Sequence, residues 1–255
     1  MSWVESIVLG VVQGLTEFLP VSSSGHLVLA ESLLGVHTPG VLVEVVLHVA
    51  TLGAVCLVYA RRIRDIVVHA EWRTMLLLVL ATLPAVGVGL FLKDLVEQAF
   101  DSVALVGVNL LVTGVILWST RWVRPPTRVE PTPVGALGIG LAQALAILPG
   151  ISRSGSTVAA GTWLGLDPVR AAEFSFLMAI PAIAGAAVLQ IPDLVDGAGQ
   201  GIAWGPLAAG FVAAMAAGVW AIRWLVRLLA RGAFWRFAPY CWVVGGGALA
   251  WSLLR

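Results

Sequence analysis

Two short segments carry most of the residues in this chain that could do chemistry. QGLTEFLPVSSSGH, from Gln13 to His26, sets a carboxamide and a carboxylate four residues apart and follows them with three serines and a histidine. QALAILPGISRSGS, from Gln143 to Ser156, sets an arginine among serines. The two align at a fixed offset of 130 residues: Gln13 pairs with Gln143, Ser22 with Ser152, Ser24 with Ser154 and Gly25 with Gly155, whereas Ser23 faces Arg153 and Glu17 faces Ile147. A duplication that keeps its serine–glycine frame while one copy takes a carboxylate and the other a guanidinium points to one site assembled from both copies.

Gln13 and Glu17 share a helix face. Ser22, Ser23 and Ser24 precede a second helical stretch, as do Ser152, Ser154 and Ser156, so each cluster offers an N-cap and exposed amides suited to an anion. Arg153 matches phosphate oxygens in bidentate geometry and is also the natural counter-ion of Glu17. Two helix N-termini, several hydroxyls and a guanidinium together suit a phosphate or diphosphate. His26 adds an acid–base group, and Ser23, His26 and Arg153 make a minimal set for nucleophilic phosphoryl transfer. Plainer readings stand beside these: Glu17 and Arg153 as a structural ion pair, and single serines, Ser22 and Ser24 above all, as caps or interhelical hydrogen bonds. His48 is expected to line the cavity, and His37 and His69 to be bystanders.

The elements that hold these residues lie in lipid. Of the residues, 59% are hydrophobic and 11% charged, and the mean hydropathy is +0.96, values foreign to a soluble domain of this length. The first segment lacks a basic region ahead of its apolar run, so it is expected to belong to the fold and not to a cleaved signal. Cys56 and Cys241 stand in apolar stretches and are expected to be small buried hydrophobes. No soluble domain and no nucleic-acid partner are expected.

Six apolar runs of roughly 17 residues or more can cross a hydrocarbon core: about 41–60, 75–92, 103–122, 171–191, 205–229 and 239–254. Ahead of each trio lies a segment broken by Pro20 or Pro149, glycines and serines, which reads as a re-entrant helix–loop–helix hairpin. Arginines collect in the connections holding Arg61, Arg62, Arg64 and Arg73; Arg121, Arg124 and Arg128; Arg170; and Arg223, Arg227, Arg231 and Arg236, which the positive-inside rule assigns to the cytoplasm. The connections from Lys93 to Asp101 and from Asp193 to Gln200 face outward. The fold expected is an all-α polytopic membrane protein with six transmembrane helices and two re-entrant hairpins. It is arranged as inverted-topology repeats over about 1–123 and 134–255, joined by the proline-rich linker 124–133.

At these same residues the chain resembles the undecaprenyl-diphosphate phosphatase family, also called the bacitracin-resistance family of bacterial inner-membrane enzymes. The resemblance rests on QGLTEFLPVSSSGH and PGISRSG, with support from LHVATLGAV starting at Leu47 and AAEFSFLMAIP starting at Ala171. It implies hydrolysis of a polyprenyl diphosphate carrier to the monophosphate and inorganic phosphate, which recycles the carrier for envelope glycans. It also implies a divalent cation, magnesium or calcium. Carried over by position, the family's acidic pair falls on Gln13 and Glu17, its serine on Ser23, its histidine on His26 and its arginine on Arg153. Gln13 departs from the acidic pattern, leaving Glu17 as the metal-binding carboxylate of that helix. Ser22, Ser24, Gly25, Ser152, Ser154 and Gly155, with Gln13, are expected to contact substrate. In the mechanism this suggests, Ser23 attacks phosphorus while His26 moves or orients a proton; water or His26 as nucleophile are the alternatives.

Two other functions compete. A type 2 phosphatidic acid phosphatase would share the SGH and SRSG fragments, but its first motif is missing and no histidine follows His69. A transporter or flippase for polyprenyl phosphate lipids would use inverted repeats and a midplane phosphate site equally well, although a carrier has no need of Ser23, His26 and Arg153 together. The eleven tryptophans are expected to form an interfacial belt. Small residues at Gly210, Ala214, Gly218 and Gly245 to Gly247 permit close helix contacts within one chain or in a homodimer. Charge placement and family resemblance together put the protein in the bacterial inner membrane, with its site reached from the periplasmic side.

Overall fold

The computed structural model describes residues 1–34, 41–92, 98–100, 102–189 and 203–254. Helices α1 (Trp3–Phe18) and α2 (Ser23–Leu34) flank the first serine loop. They are followed by α3 (Val41–Val58), α4 (Ala60–Val68), α5 (Trp72–Phe91) and α6 (Val103–Ser119). Helices α7 (Pro133–Leu145) and α8 (Arg153–Trp163) flank the second loop, followed by α9 (Pro168–Leu189), α10 (Trp204–Ala230) and α11 (Ala238–Leu253). Among the described residues the only extended pairing is a single bridge between Arg128 and Leu166. The 130-residue sequence offset reappears in the helix starts, Trp3 against Pro133 and Ser23 against Arg153.

Local sequence sets the boundaries. Ser2 and Glu5 form a reciprocal capping box at the start of α1, satisfying two donors that a helix start leaves open. Thr132 caps α7 ahead of Pro133, where the missing N–H costs nothing. Helix α1 ends at Phe18, just ahead of Pro20, and α7 ends at Leu145, four residues ahead of Pro149; proline disfavours the preceding helical turn, and here, unlike Pro84 and Pro181 within α5 and α9, glycine and serine beside it complete the break. Gly150 takes φ +94° with its α-carbon pressed against the Val106 carbonyl and Asn109, a conformation and a clearance that only glycine allows.

Among the described residues four helical stretches are long and apolar enough to cross a membrane: Trp72–Phe91, Val103–Trp122, Pro168–Val188 and Trp204–Ala230. The pair α3 and α4, bent by 72° at Tyr59, makes a fifth if it is counted as one broken span. Leu76, Val79, Leu83, Val86 and Leu90 form an exposed stripe along α5, as a helix facing hydrocarbon would carry. The protein is thus an all-helical, multi-pass membrane protein. The sixth expected span falls on α11, whose 16 residues reach about 24 Å at a 1.5 Å rise, short of a core of about 30 Å. The helix coincides with the expected run, and a 3₁₀ turn over Phe234–Phe237 leads directly into it. The outward connections expected around Lys93 and Asp193 lie largely outside the described residues, as does His37.

Packing is crossed between the halves. Helix α1 lies along α10, and α7 lies along α5. Both contacts are backbone on backbone: a side chain on Gly10 would strike the Gly210 carbonyl, and one on Gly140, 130 residues later, would strike the Ala81 carbonyl. Small residues bring helices this close when lipid supplies no hydrophobic drive for association. Phe18, at the end of α1, packs edge-on to Phe176 of α9, with centroids 5.5 Å apart, in the middle of the buried cluster. The proline-rich linker is exposed but pinned: Thr127 and Arg128 donate from their amides to the Gly165 carbonyl, and Asp167 donates to the Arg128 carbonyl.

Two expectations need correction. Cys56 is exposed on α3 and only Cys241 is buried, its thiol directed at the Pro20 carbonyl; Cys56 occupies a face of α3 that no other helix covers. Trp3, Trp72, Trp122, Trp163 and Trp204 are exposed as a belt would be, but Trp118 packs with Trp235 and Trp242. The Arg121 guanidinium lies 4.1 Å over the Trp118 ring, so these indoles bind each other and a cation.

Candidate active site

The two loops meet through their glycines. An added Cβ on Gly25 would sit 3.1 Å from Gly150 Cα, and one on Gly155 would sit 3.3 Å from Pro20 Cβ, so each loop's glycine admits the other loop's bend. Gly150 N–H donates to Ser22 Oγ at 3.1 Å, and Ser154 Oγ donates to the Leu19 carbonyl at 3.1 Å. Ser22 adopts φ +69° to do this, unusual for a residue with a side chain. Helix α6 braces the second loop: Asn109 Nδ2 donates to the Pro149 carbonyl and Thr113 Oγ1 to the Gly150 carbonyl, both at 2.8 Å, while Ser152 N–H donates to Thr113 at 3.0 Å.

Across this junction lies Glu17, only 7% exposed. Its Oε1 accepts from Arg153 Nη2 at 2.5 Å. Its Oε2 accepts from Ser23 Oγ at 2.6 Å and from Gln13 Nε2 at 3.0 Å, and His48 Nε2 lies 3.8 Å away. The pairing across the repeat is therefore real in space: carboxylate and serine come from the first half, guanidinium from the second. A buried carboxylate needs such partners, since removing it from water costs several kcal/mol or more. Arg153 Nη1 and Gln13 Oε1 are buried without a protein partner, so the cluster retains capacity for one donor and one acceptor contact.

The remaining expected site residues divide. Ser152 caps α8 by accepting from Gly155 N–H at 3.0 Å, and Ser22 accepts from Gly25 N–H at 3.4 Å. These serines hold the loops, and the two glycine amides they satisfy are spoken for. Ser24 stands 3.4 Å from Ser22 Oγ and borders a small cleft with Leu9, Leu27, Val28, Val43 and Leu47. His26 turns away from Ser23: Nδ1 meets the Ser22 carbonyl at 2.8 Å and Nε2 meets the Tyr240 hydroxyl at 2.8 Å. A carbonyl only accepts, so in the neutral ring the proton sits on Nδ1 and Tyr240 donates to Nε2. His48, with Nδ1 on the Glu44 carbonyl at 2.8 Å, is the histidine near the carboxylate. His69 bonds the Asp65 carbonyl on an exposed helix end, far in sequence and in element from this junction.

A family model described as bacitracin resistance protein BacA matches residues 6–247. The chain belongs to the BacA family. Its relatives include proteins named undecaprenyl-diphosphatase from Desulfosudis oleivorans, 42% identical over the whole of both chains, and from Desulfatibacillum aliphaticivorans, 40% identical over 98% of each. Another of that name, from Parabacteroides distasonis, is 40% identical over the whole of both. Within this BacA chain, Asn109, Thr113 and Tyr240 support the site and were not singled out from sequence. Asn109 and Thr113 had a signal, two polar side chains one helical turn apart in an otherwise apolar span; Tyr240 had none.

Proposed function

We infer that this chain hydrolyses undecaprenyl diphosphate to undecaprenyl phosphate and inorganic phosphate, and that Glu17, Ser23 and Arg153 carry the step. Full-length similarity to undecaprenyl-diphosphatases supports the substrate, and recycling of the lipid carrier with bacitracin resistance follows from the family. The observation that carries the mechanism is the shared carboxylate, with Ser23 Oγ on one oxygen and Arg153 on the other.

Ser23 Oγ attacks the terminal phosphorus as its proton passes to Glu17 Oε2, already within the 2.6–3.2 Å reach expected of a base. The bridging P–O bond breaks, its electron pair leaving on the lipid phosphate, which takes the proton back from Glu17. Water then attacks the phosphoserine with Glu17 again as base; the Oγ–P bond breaks, its electron pair stays on Ser23 Oγ, which takes the proton back from Glu17, and inorganic phosphate departs. Arg153 neutralises the phosphoryl oxygens throughout, its free Nη1 supplying a donor that the ground state does not use.

A divalent cation, magnesium or calcium, fits this donor set in one way. Among the described residues no three His, Cys, Asp or Glu side chains converge as a metal cage, but the unpartnered Gln13 Oε1 and the Glu17 carboxylate are hard oxygen ligands. Together with diphosphate oxygens they would hold an ion arriving with the substrate, and its chemistry there is charge neutralisation. The inverted-repeat topology, with two re-entrant hairpins meeting at depth, agrees with the crossed packing of α1 and α7. The arginine-rich connections, cytoplasmic by the positive-inside rule, support a reading in which that junction lies in the bacterial inner membrane and its site opens to the periplasm.

Phosphate release from a polyprenyl diphosphate by purified protein in detergent tests the reaction, since no sides exist there for transport. Ser23→Ala is expected to lose at least about 10³-fold in kcat, and acid quenching of the wild type to leave a labelled phosphoserine. Turnover of Ser23→Ala within tenfold of wild type would return the attack to water.

A further inference from the structure

Gln143 is 3% exposed, and neither Nε2 nor Oε1 of its carboxamide has a protein partner. Buried amides are rarely left so, because each unmade hydrogen bond forfeits solvation that nothing in the protein replaces. The repeat explains how the amide came to be free. Gln143 occupies in the second half the station Gln13 occupies in the first, and Gln13 spends its Nε2 on Glu17 four residues on. Four residues after Gln143 stands Ile147, which can accept nothing. The other buried side-chain atoms without partners among the described residues are Gln13 Oε1 and Arg153 Nη1 of the carboxylate cluster and the hydroxyls of Ser6 and Ser156, so Gln143 alone has both ends of a carboxamide open. Gln143 sits in the last turn of α7, which packs against α8, the helix that Arg153 opens.

We propose that Gln143 is a substrate-contacting residue, whose carboxamide donates to an oxygen of the diphosphate headgroup from the half of the molecule opposite Glu17 and Ser23. This rests on the diphosphatase reading above. A diphosphate presents more oxygens than Arg153 alone can satisfy. A neutral donor in the second half adds a contact without a second cation competing for Glu17. Retaining an unpaired amide in the resting state is what a residue selected for the bound state would do, since in the absence of such a contact an apolar residue of the same size is favoured.

The test compares wild type with Gln143→Leu, close in volume and without the amide, by thermal unfolding in detergent, by kcat and KM for a polyprenyl diphosphate, and by the Kd of that lipid. Expected are an unfolding temperature equal to or above wild type and a loss of about tenfold or more in kcat/KM and in affinity, the scale of one hydrogen bond to a charged group. A stabilised Gln143→Leu with kcat/KM and Kd within twofold of wild type would overturn the proposal, leaving the amide a residue of the duplication. Should Gln143→Leu not fold, Gln143→Glu keeps a polar group and turns it against the anion; unchanged Kd there overturns the proposal, and weakened Kd supports it. Wild type that binds the lipid but releases no phosphate would sink the hydrolytic reading while the Kd comparison still decides Gln143.

Discussion

The loop from Pro20 to Ser24 and the loop from Pro149 to Ser154 were built alike and do different work. Each follows a helix stopped by proline, each sets a serine whose hydroxyl accepts from the glycine amide three residues on, and each glycine admits the other loop's bend. The residue after that serine is a hydroxyl in one loop and a guanidinium in the other, and only the first loop has a carboxylate behind it. Symmetric positions make the junction fold; the broken positions make it asymmetric, with carboxylate and serine hydroxyl coming from the first half and the guanidinium from the second. A fully symmetric junction would offer two serines and no charge, or two arginines facing each other.

Arg153→Ala breaks the comparison most severely. It removes the donor for developing phosphoryl charge, expected to cost about 10³-fold or more in kcat/KM. It also leaves Glu17 buried without its cation, expected to cost about 3–5 kcal/mol. Phosphate release and thermal unfolding in detergent separate the two. Adding Glu17→Gln to Arg153→Ala is expected to restore much of the stability and none of the activity, because the uncompensated charge is gone while base and cation are both missing. Restored activity in the double variant would make the pair structural.

The capping serines sharpen the comparison at a lower level. Ser152→Ala loses one cap bond, worth about 1 kcal/mol. Ser22→Ala strips the partner from both Gly25 N–H and the Gly150 N–H of the other loop, and a buried amide left open costs about 1–3 kcal/mol. Ser22→Ala should therefore unfold at the lower temperature, and it alone should slow turnover, since it uncouples the loops. Equal destabilisation by the two substitutions would show that the Ser22 link to Gly150 carries nothing.

The duplication, the two breaks and the trio of Glu17, Ser23 and Arg153 could be read from the chain because identity at a fixed offset is independent of how the halves pack. Each of the six apolar runs falls on a helix among the described residues, the last on α11 with nearly the expected bounds. Less legible was how those helices meet the membrane, because the 72° bend between α3 and α4 at Tyr59 is a matter of backbone direction that composition does not register. The direction of the His26 ring was not legible either. Its position after the serines makes it look like their proton carrier, but its ring direction is fixed by the Ser22 carbonyl and by Tyr240, 214 residues away. Gln143 was visible in the alignment, yet its significance lies in the bonds it does not make, and those appear only once Ile147 and the buried face of α7 are in place.

Tyr240→Phe asks the most delicate question of the asymmetry. His26 stands where the second half has Ser156, and its two ring nitrogens hold different things: Nδ1–H the carbonyl of Ser22, which shapes the loop, and Nε2 a hydroxyl on a partly exposed tyrosine. If the loop bond is the important one, Tyr240→Phe loses a single neutral hydrogen bond of about 1 kcal/mol, and turnover should fall by about fivefold at most. His26→Ala should fall further, because it takes the ring bond from the Ser22 carbonyl and leaves that carbonyl only the backbone N–H of residue 26, at 3.2 Å, to hold the loop. If instead Tyr240 and His26 relay a proton as a unit, the two substitutions should cost the same and the double variant no more than either. Measuring kcat for the three variants distinguishes these cases, and the unequal pattern is the one expected from a histidine whose proton faces the backbone.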